Sequence, residues 1–119
     1  MLEFAIVLAF VLIPLLMGLV EFGWIFNGWI TVTAAAREGA RVAVLEDDND
    51  EDVSAAVTKH LSNSILTGHH TEPPDRTEEN IEVTVRGKLQ PIVGIFVSGE
   101  REIVGQASMR REYSVDDNN

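Results

Sequence analysis

The chain has 119 residues, room for one small domain, and a net charge of −10 at neutral pH. Its nine basic residues are scattered; phosphate binding needs clustered Lys and Arg, so no nucleic-acid partner is expected. The absence of cysteine excludes disulfides, thiol catalysis and cysteine-rich zinc sites.

The charge is unevenly placed. Between Phe4 and Ala36 only Glu21 is charged, whereas most acids follow Leu45. The sequence therefore divides into an oily N-terminal rod and an acidic head. From Phe4 to Val20 the residues are uncharged and mostly aliphatic, and apolar character resumes with Phe22, Trp24, Ile25, Phe26, Trp29 and Ile30. A bilayer core needs about 20 apolar residues in a helix, so the run is long enough to span. It has no basic leading region and exceeds the length of a secretory h-region, so it does not read as a cleavable secretory signal. Trp24 and Trp29 fall where an interfacial aromatic belt belongs.

Glu3 and Glu21 frame this run. Their spacing is about five helical turns, which puts both carboxylates on one face. Each reads either as an interfacial residue at one end of the span or as an intramembrane acid with a partner. Pro14 lies inside the run; it removes a backbone donor and is expected to loosen or kink the helix. Gly18, Gly23 and Gly28 recur every five residues, which favours close helix approach without forming the four-residue small-residue motif. The following alanine-rich stretch, Thr31 to Val44, favours helix, and Glu38 is spaced to pair with Arg41. One helix is thus predicted to about Leu45, a rod of roughly 65 Å.

Glu46 to Asp52 is a run of acids broken only by Asn49. As a calcium loop starting at Asp48 it has Val53 where the turn glycine belongs, so it reads as a solvated linker, with Asp50 as a helix N-cap. A second helix is predicted over about residues 51–66, with Val53, Ala56, Val57, His60, Leu61 and Ile65 along one stripe and Gly68 as a stop signal. His60 is expected to be partly covered. Residues 68–79, with Pro73-Pro74, read as loop. His69 and His70 are adjacent, near Glu72 and Asp75, but neighbouring residues seldom face one ion and no helical His pair exists, so no metal site is assigned. From Ile81 the period becomes two: Ile81, Val83 and Val85 alternate with Glu82, Thr84 and Arg86. A second strand is predicted from Arg101 to Tyr113, with Ile103, Ala107 and Met109 toward the core. Residues 90–99 fit a third strand, or a short apolar helix or loop. Asp116 to Asn119 read as a polar tail.

The order of elements Leu2-Glu3-Phe4, Ile13-Pro14-Leu15, Val20-Glu21-Phe22-Gly23 and Ala34-Ala35-Ala36-Arg37-Glu38-Gly39-Ala40-Arg41 resembles the TadE-like pseudopilins of the tight-adherence (Tad) pilus system, within the type IV pilin superfamily. The resemblance is clearest over residues 1–44 and picks out Phe4, Glu21, Phe22, Gly23, Arg37, Glu38, Gly39 and Arg41 as motif positions. The later strands, with Met109-Arg110-Arg111-Glu112, also fit the family pattern, which favours the helix or loop reading of residues 90–99. It implies a prepilin with a short leader removed by a prepilin peptidase. The mature chain would wait in the inner membrane until pilus assembly machinery extracts it into an extracellular pilus. It also implies that Glu3 matches the glutamate that pilins carry near the mature N-terminus. That acid usually stands fifth and here stands third, which implies two further residues or a different processing site. Paired with Met1, whose α-amino group in a neighbouring subunit would meet the carboxylate, Glu3 would set assembly register.

The expected fold is α+β: a long pilin-like N-terminal helix packed by a short second helix and a small antiparallel sheet. Residues 1–30 form the hydrophobic assembly or transmembrane helix, 31–45 its continuation carrying the head, and 46–119 the head. No phosphate loop, nucleophile elbow or metal cluster is present in the sequence, so a structural rather than enzymatic role without cofactor is expected. The leading function is a pilus subunit assembling with identical subunits, for adhesion. The alternatives are a minor pseudopilin that primes or caps a filament of another protein, and a single-span membrane adaptor with an extracytoplasmic head.

Overall fold

The protein, seen in a computed structural model that describes residues 1–45, 50–92, 94 and 99–110, is built on one helix, α1, from Leu2 to Leu45. Its 44 residues continue without interruption through Pro14 and through the alanine-rich stretch. The whole molecule is 84 Å long and only 22 Å across, because the head covers one end of the rod.

The small residues of α1 explain where the head sits. Gly28, Val32, Ala35, Ala36, Gly39, Ala40 and Ala43 are buried and recur every three or four residues, so they line one face. Small side chains let other elements approach closely. At Gly39 an added Cβ would stand 2.8 Å from Val57 and 3.2 Å from Val83, so α2 and the sheet converge there on bare backbone. A larger residue would prise them off.

Helix α2 spans Asp50–Leu61. Asp50, Glu51 and Asp52 occupy its first turn and Lys59 and His60 its last, an arrangement the helix dipole favours at both ends. Val53, Val57 and Leu61 form its buried stripe. The helix stops four to five residues earlier than the apolar periodicity suggests. Ser62 and Ser64 turn their hydroxyls onto the carbonyls of Lys59 and Leu61 at 2.9 Å and 2.7 Å, the local bonding that makes serine a poor helix interior. Ile65 still packs against the core from the following turn. His60 is exposed, contrary to the expected partial cover.

The sheet is antiparallel and centred on β3, Asn80–Leu89. Strand β4, Arg101–Arg110, pairs along its entire length, from Asn80 opposite Arg110 to Leu89 opposite Arg101. The other edge of β3 is shared by two short strands, β1 (Gly68–Thr71) and β2 (Asp75–Arg76). This corrects the reading of residues 68–79 as loop, and Gly68 opens a strand rather than only closing a helix. The two pieces are one edge strand interrupted at Pro73-Pro74, which supply no N–H to the ladder. Glu72 still donates its N–H to the Thr84 carbonyl at 2.9 Å. The His-His-Thr segment has no strand signature of its own; the unsatisfied edge of β3 recruits it.

One face of the sheet, carrying Ile81, Val83, Val85, Leu89, Ile103 and Ala107, joins the α1 and α2 stripes in a single core. Burying each Val, Leu or Ile contributes about 1.5–3 kcal/mol. The fold is therefore α+β, as the sequence indicates. Of the expected acidic linker 46–52, residues 50–52 belong instead to the first turn of α2; residues 46–49, 93 and 95–98 of the segment before β4, and 111–119 with the end of the expected second strand and the tail lie outside the described residues.

Candidate assembly and membrane surface

Among the described residues, the apolar side chains of α1 from Leu2 to Val20 pack on no other element. Leu2, Phe4, Ile6, Val7, Leu8, Phe10, Val11, Leu12, Ile13, Leu15, Leu16, Leu19 and Val20 are all exposed, and the window of highest hydropathy in α1 has none of its residues buried. A helix of this length and composition is able to cross a membrane. Leaving this surface in water would carry a large free-energy cost, so lipid or another apolar surface must cover it.

The head's seat and the bare half share one line. Glu3, Val7, Phe10, Pro14, Met17 and Glu21 alternate by four and three residues and so occupy one face. The same alternation continues into Ile25, Gly28, Val32, Ala35 and Gly39. The head covers the upper part of this stripe and leaves the lower part open. Phe10, Ile13, Pro14 and Met17 line a shallow apolar notch there.

The two acids at the ends of the open stripe differ sharply. Glu3 lies in the first helical turn and is exposed, beside Met1, whose carbonyl accepts the Ala5 N–H at 3.1 Å. Glu21 is 2 % exposed, enclosed by the chain itself. One turn higher, Trp24 donates its indole N–H to the Gln90 carbonyl at 3.1 Å, so the head's foot closes over this part of the helix.

The remaining motif positions divide by direction. Gly39 faces the head core. Phe4, Phe22, Gly23, Arg37 and Arg41 are exposed, and a Cβ on Gly23 would meet nothing within 4 Å. Glu38 is half-buried and stands 4.0 Å from Arg41, a long exposed pair of small energetic weight. Pro14 sits within continuous helix, where its ring nitrogen leaves the Phe10 carbonyl without the usual donor.

Sequence reasoning missed two features. Phe22 stacks on Phe26 with centroids 6.4 Å apart, and Phe26 meets Trp29 at 6.0 Å. With Ile25, these rings and Arg101, Glu102, Ile103 and Val104 of β4 line an open apolar groove of about 370 Å³. The helical spacing of the aromatics was visible, but not which strand lies beside them. The second is Arg86, on the solvent face of β3. Its guanidinium bonds Glu72 on one side and Glu102 at 2.7 Å on the other, tying all three ranks of the sheet. Those hydrogen bonds, to Glu102 first and then Glu72, raise the Arg86 pKa above its ordinary value.

Among the described residues no group of three or more His, Asp or Glu side chains gathers to hold a metal. His69 and His70 project to opposite faces of β1, and the His69 ring meets the Thr58 hydroxyl at 3.3 Å.

Comparison with known proteins agrees with the rod. No curated protein and no solved structure matches the chain. The family model of TadE-like proteins matches residues 1–41, from the bare apolar half through the first part of the head's seat. Over this N-terminal helix the chain is thus similar to TadE-like proteins, a family associated with the Tad pilus, and the same helix is long and apolar enough to cross a membrane.

Proposed function

We propose that this protein is a structural pilin-like subunit, held in the inner membrane by α1 and then extracted by pilus machinery into a surface filament of identical copies that serves adhesion. One observation carries the reading: a core is built on the upper half of α1, while the lower half, Leu2 to Val20, packs on no other element among the described residues. Extraction from lipid requires a substitute for the acyl chains, and the same apolar stretch of neighbouring copies supplies one. Association of such helices is driven by van der Waals contact and interhelical bonding.

In this assembly Glu3 sets the axial register. A carboxylate among apolar helices needs an opposite charge, and the α-amino group of a neighbour's first residue, Met1 in this numbering, provides it. The prepilin peptidase acts beforehand. The filament is tested by shearing surface material from cells and identifying its protein by mass spectrometry. A single dominant species of this chain is expected. Trace amounts beside another major subunit would instead make it a minor pseudopilin, and retention in the membrane fraction alone would make it an adaptor.

A further inference from the structure

The apolar surface of α1 is longer on one flank than on the face that carries the head. On the head face it runs between Glu3 and Glu21, so Phe4 to Val20 gives about 26 Å of apolar length at 1.5 Å per residue. That is close to the roughly 30 Å hydrocarbon core. Around the helix, roughly a quarter-turn from the line of Glu21, Gly28 and Val32, the exposed rings of Phe22, Phe26 and Trp29 carry the apolar surface on. Ile30 extends it to about 43 Å. Beside these rings lie Ile103 and the exposed Val104 of β4, with Arg101 and Glu102, the latter paired with Arg86, at the groove.

A membrane boundary perpendicular to the rod at Glu21 leaves both Phe26 and Trp29 beyond the hydrocarbon core. A tilted one takes in Phe26 and leaves Trp29, about 12 Å beyond Glu21, in the headgroup zone. Across a helix about 10 Å wide, a tilt of about 37° carries the boundary roughly 7.5 Å farther along one flank, which is the rise from Glu21 to Phe26. That tilt lies within the range of membrane helices, which lean to accommodate excess apolar length.

We infer that the groove between α1 and β4 is a lipid-contact surface. In the membrane-anchored state the rod leans toward its aromatic flank, immersing Phe22 and Phe26 and resting Trp29 and Val104 in the headgroup zone. Lipid is the occupant because the groove is continuous with the apolar span. An aromatic flank at this height suits the interface, and Arg101 is placed to extend toward lipid phosphates. This rests on the membrane anchoring of α1 and not on filament assembly.

The chain has two tryptophans and no cysteine, which makes the test clean. The full-length Trp24→Phe variant, with Trp29 as its sole indole, is reconstituted in phosphatidylcholine–phosphatidylglycerol vesicles brominated at known depths. Blue-shifted Trp29 emission, quenched by shallow bromines and resistant to iodide, is expected. A nitroxide on Val104→Cys in the otherwise native chain is expected to favour oxygen over aqueous nickel as its relaxant. Phe10→Trp, in a chain whose other tryptophans are phenylalanine, reports the anchor through deep bromines. If Phe10→Trp is quenched while Trp29 and the Val104 label stay water-accessible, the tilt is overturned and the anchor stands. If Phe10→Trp escapes deep quenching, both fall. Protection of Trp29 that disappears as protein is diluted in lipid assigns the groove to a second copy and overturns the inference.

Discussion

Gly105 of β4 lies flat against the backbone of α1 at Val32. A Cβ on Gly105 would stand 2.8 Å from the Val32 carbonyl carbon and 2.7 Å from the Thr33 nitrogen, distances that side chains do not tolerate. Backbone inside a helix has little room to yield, so the strand must lift. Gly105→Val is therefore expected to destabilise the head by about 3 kcal/mol or more, above the usual range of overpacked cores. Chemical unfolding of the full chain in detergent, followed by circular dichroism, checks it; an unchanged midpoint would show that the sheet is not seated this tightly.

Leu89 tests the opposite defect. It is among the largest fully buried side chains and fills the space beneath Gly28, where a Cβ would come within 3.1 Å of it. Leu89→Ala is expected to cost about 2–5 kcal/mol through lost burial and the cavity left behind. Limited proteolysis should cut the head faster while leaving α1 in the membrane fraction.

Arg86 ties the interrupted edge to the other strands through exposed contacts, which water and salt weaken. Arg86→Gln is expected to leave global unfolding nearly unchanged. Hydrogen exchange should nonetheless accelerate at β1, whose short pairing with β3 depends most on lateral support. Equal protection in both proteins would deny the cluster any part in holding that edge.

Glu3→Ala separates anchoring from assembly. Membrane insertion is expected to survive, since an apolar residue enters lipid more easily than a carboxylate. Incorporation into sheared filaments is expected to be lost, with the register contact to a neighbour's Met1 amine. Normal filaments from this variant would end that role for Glu3.

Pro14→Ala addresses the assembled rod. The missing donor at Pro14 deprives the Phe10 carbonyl of its usual helical partner, and under the proposed assembly that turn is expected to loosen when copies pack. Amide exchange between residues 10 and 18 of assembled material is expected to slow in the variant. Native filaments already fully protected there would show that no loosening occurs.

Residue by residue, the sequence specified what depends on chemistry along the chain. The uncharged run from Phe4 to Val20 dictates an oily helix, and alanine from Ala34 onward extends it. Alternation from Ile81 to Val85 dictates a half-buried strand, and Val53, Val57 and Leu61 declare their helical stripe. Such patterns survive because each residue's contribution is local or periodic. Tertiary structure alone decided the rest. Gly68–Thr71 became a strand because β3 offered unpaired backbone groups, and Glu21, a charge within an apolar run, became buried only in the folded chain. Phe22, Phe26 and Trp29 acquired β4 as a groove wall only when a strand some seventy residues later in the chain packed beside them. These outcomes depend on which surfaces meet across long sequence separations, and no local pattern encodes that meeting.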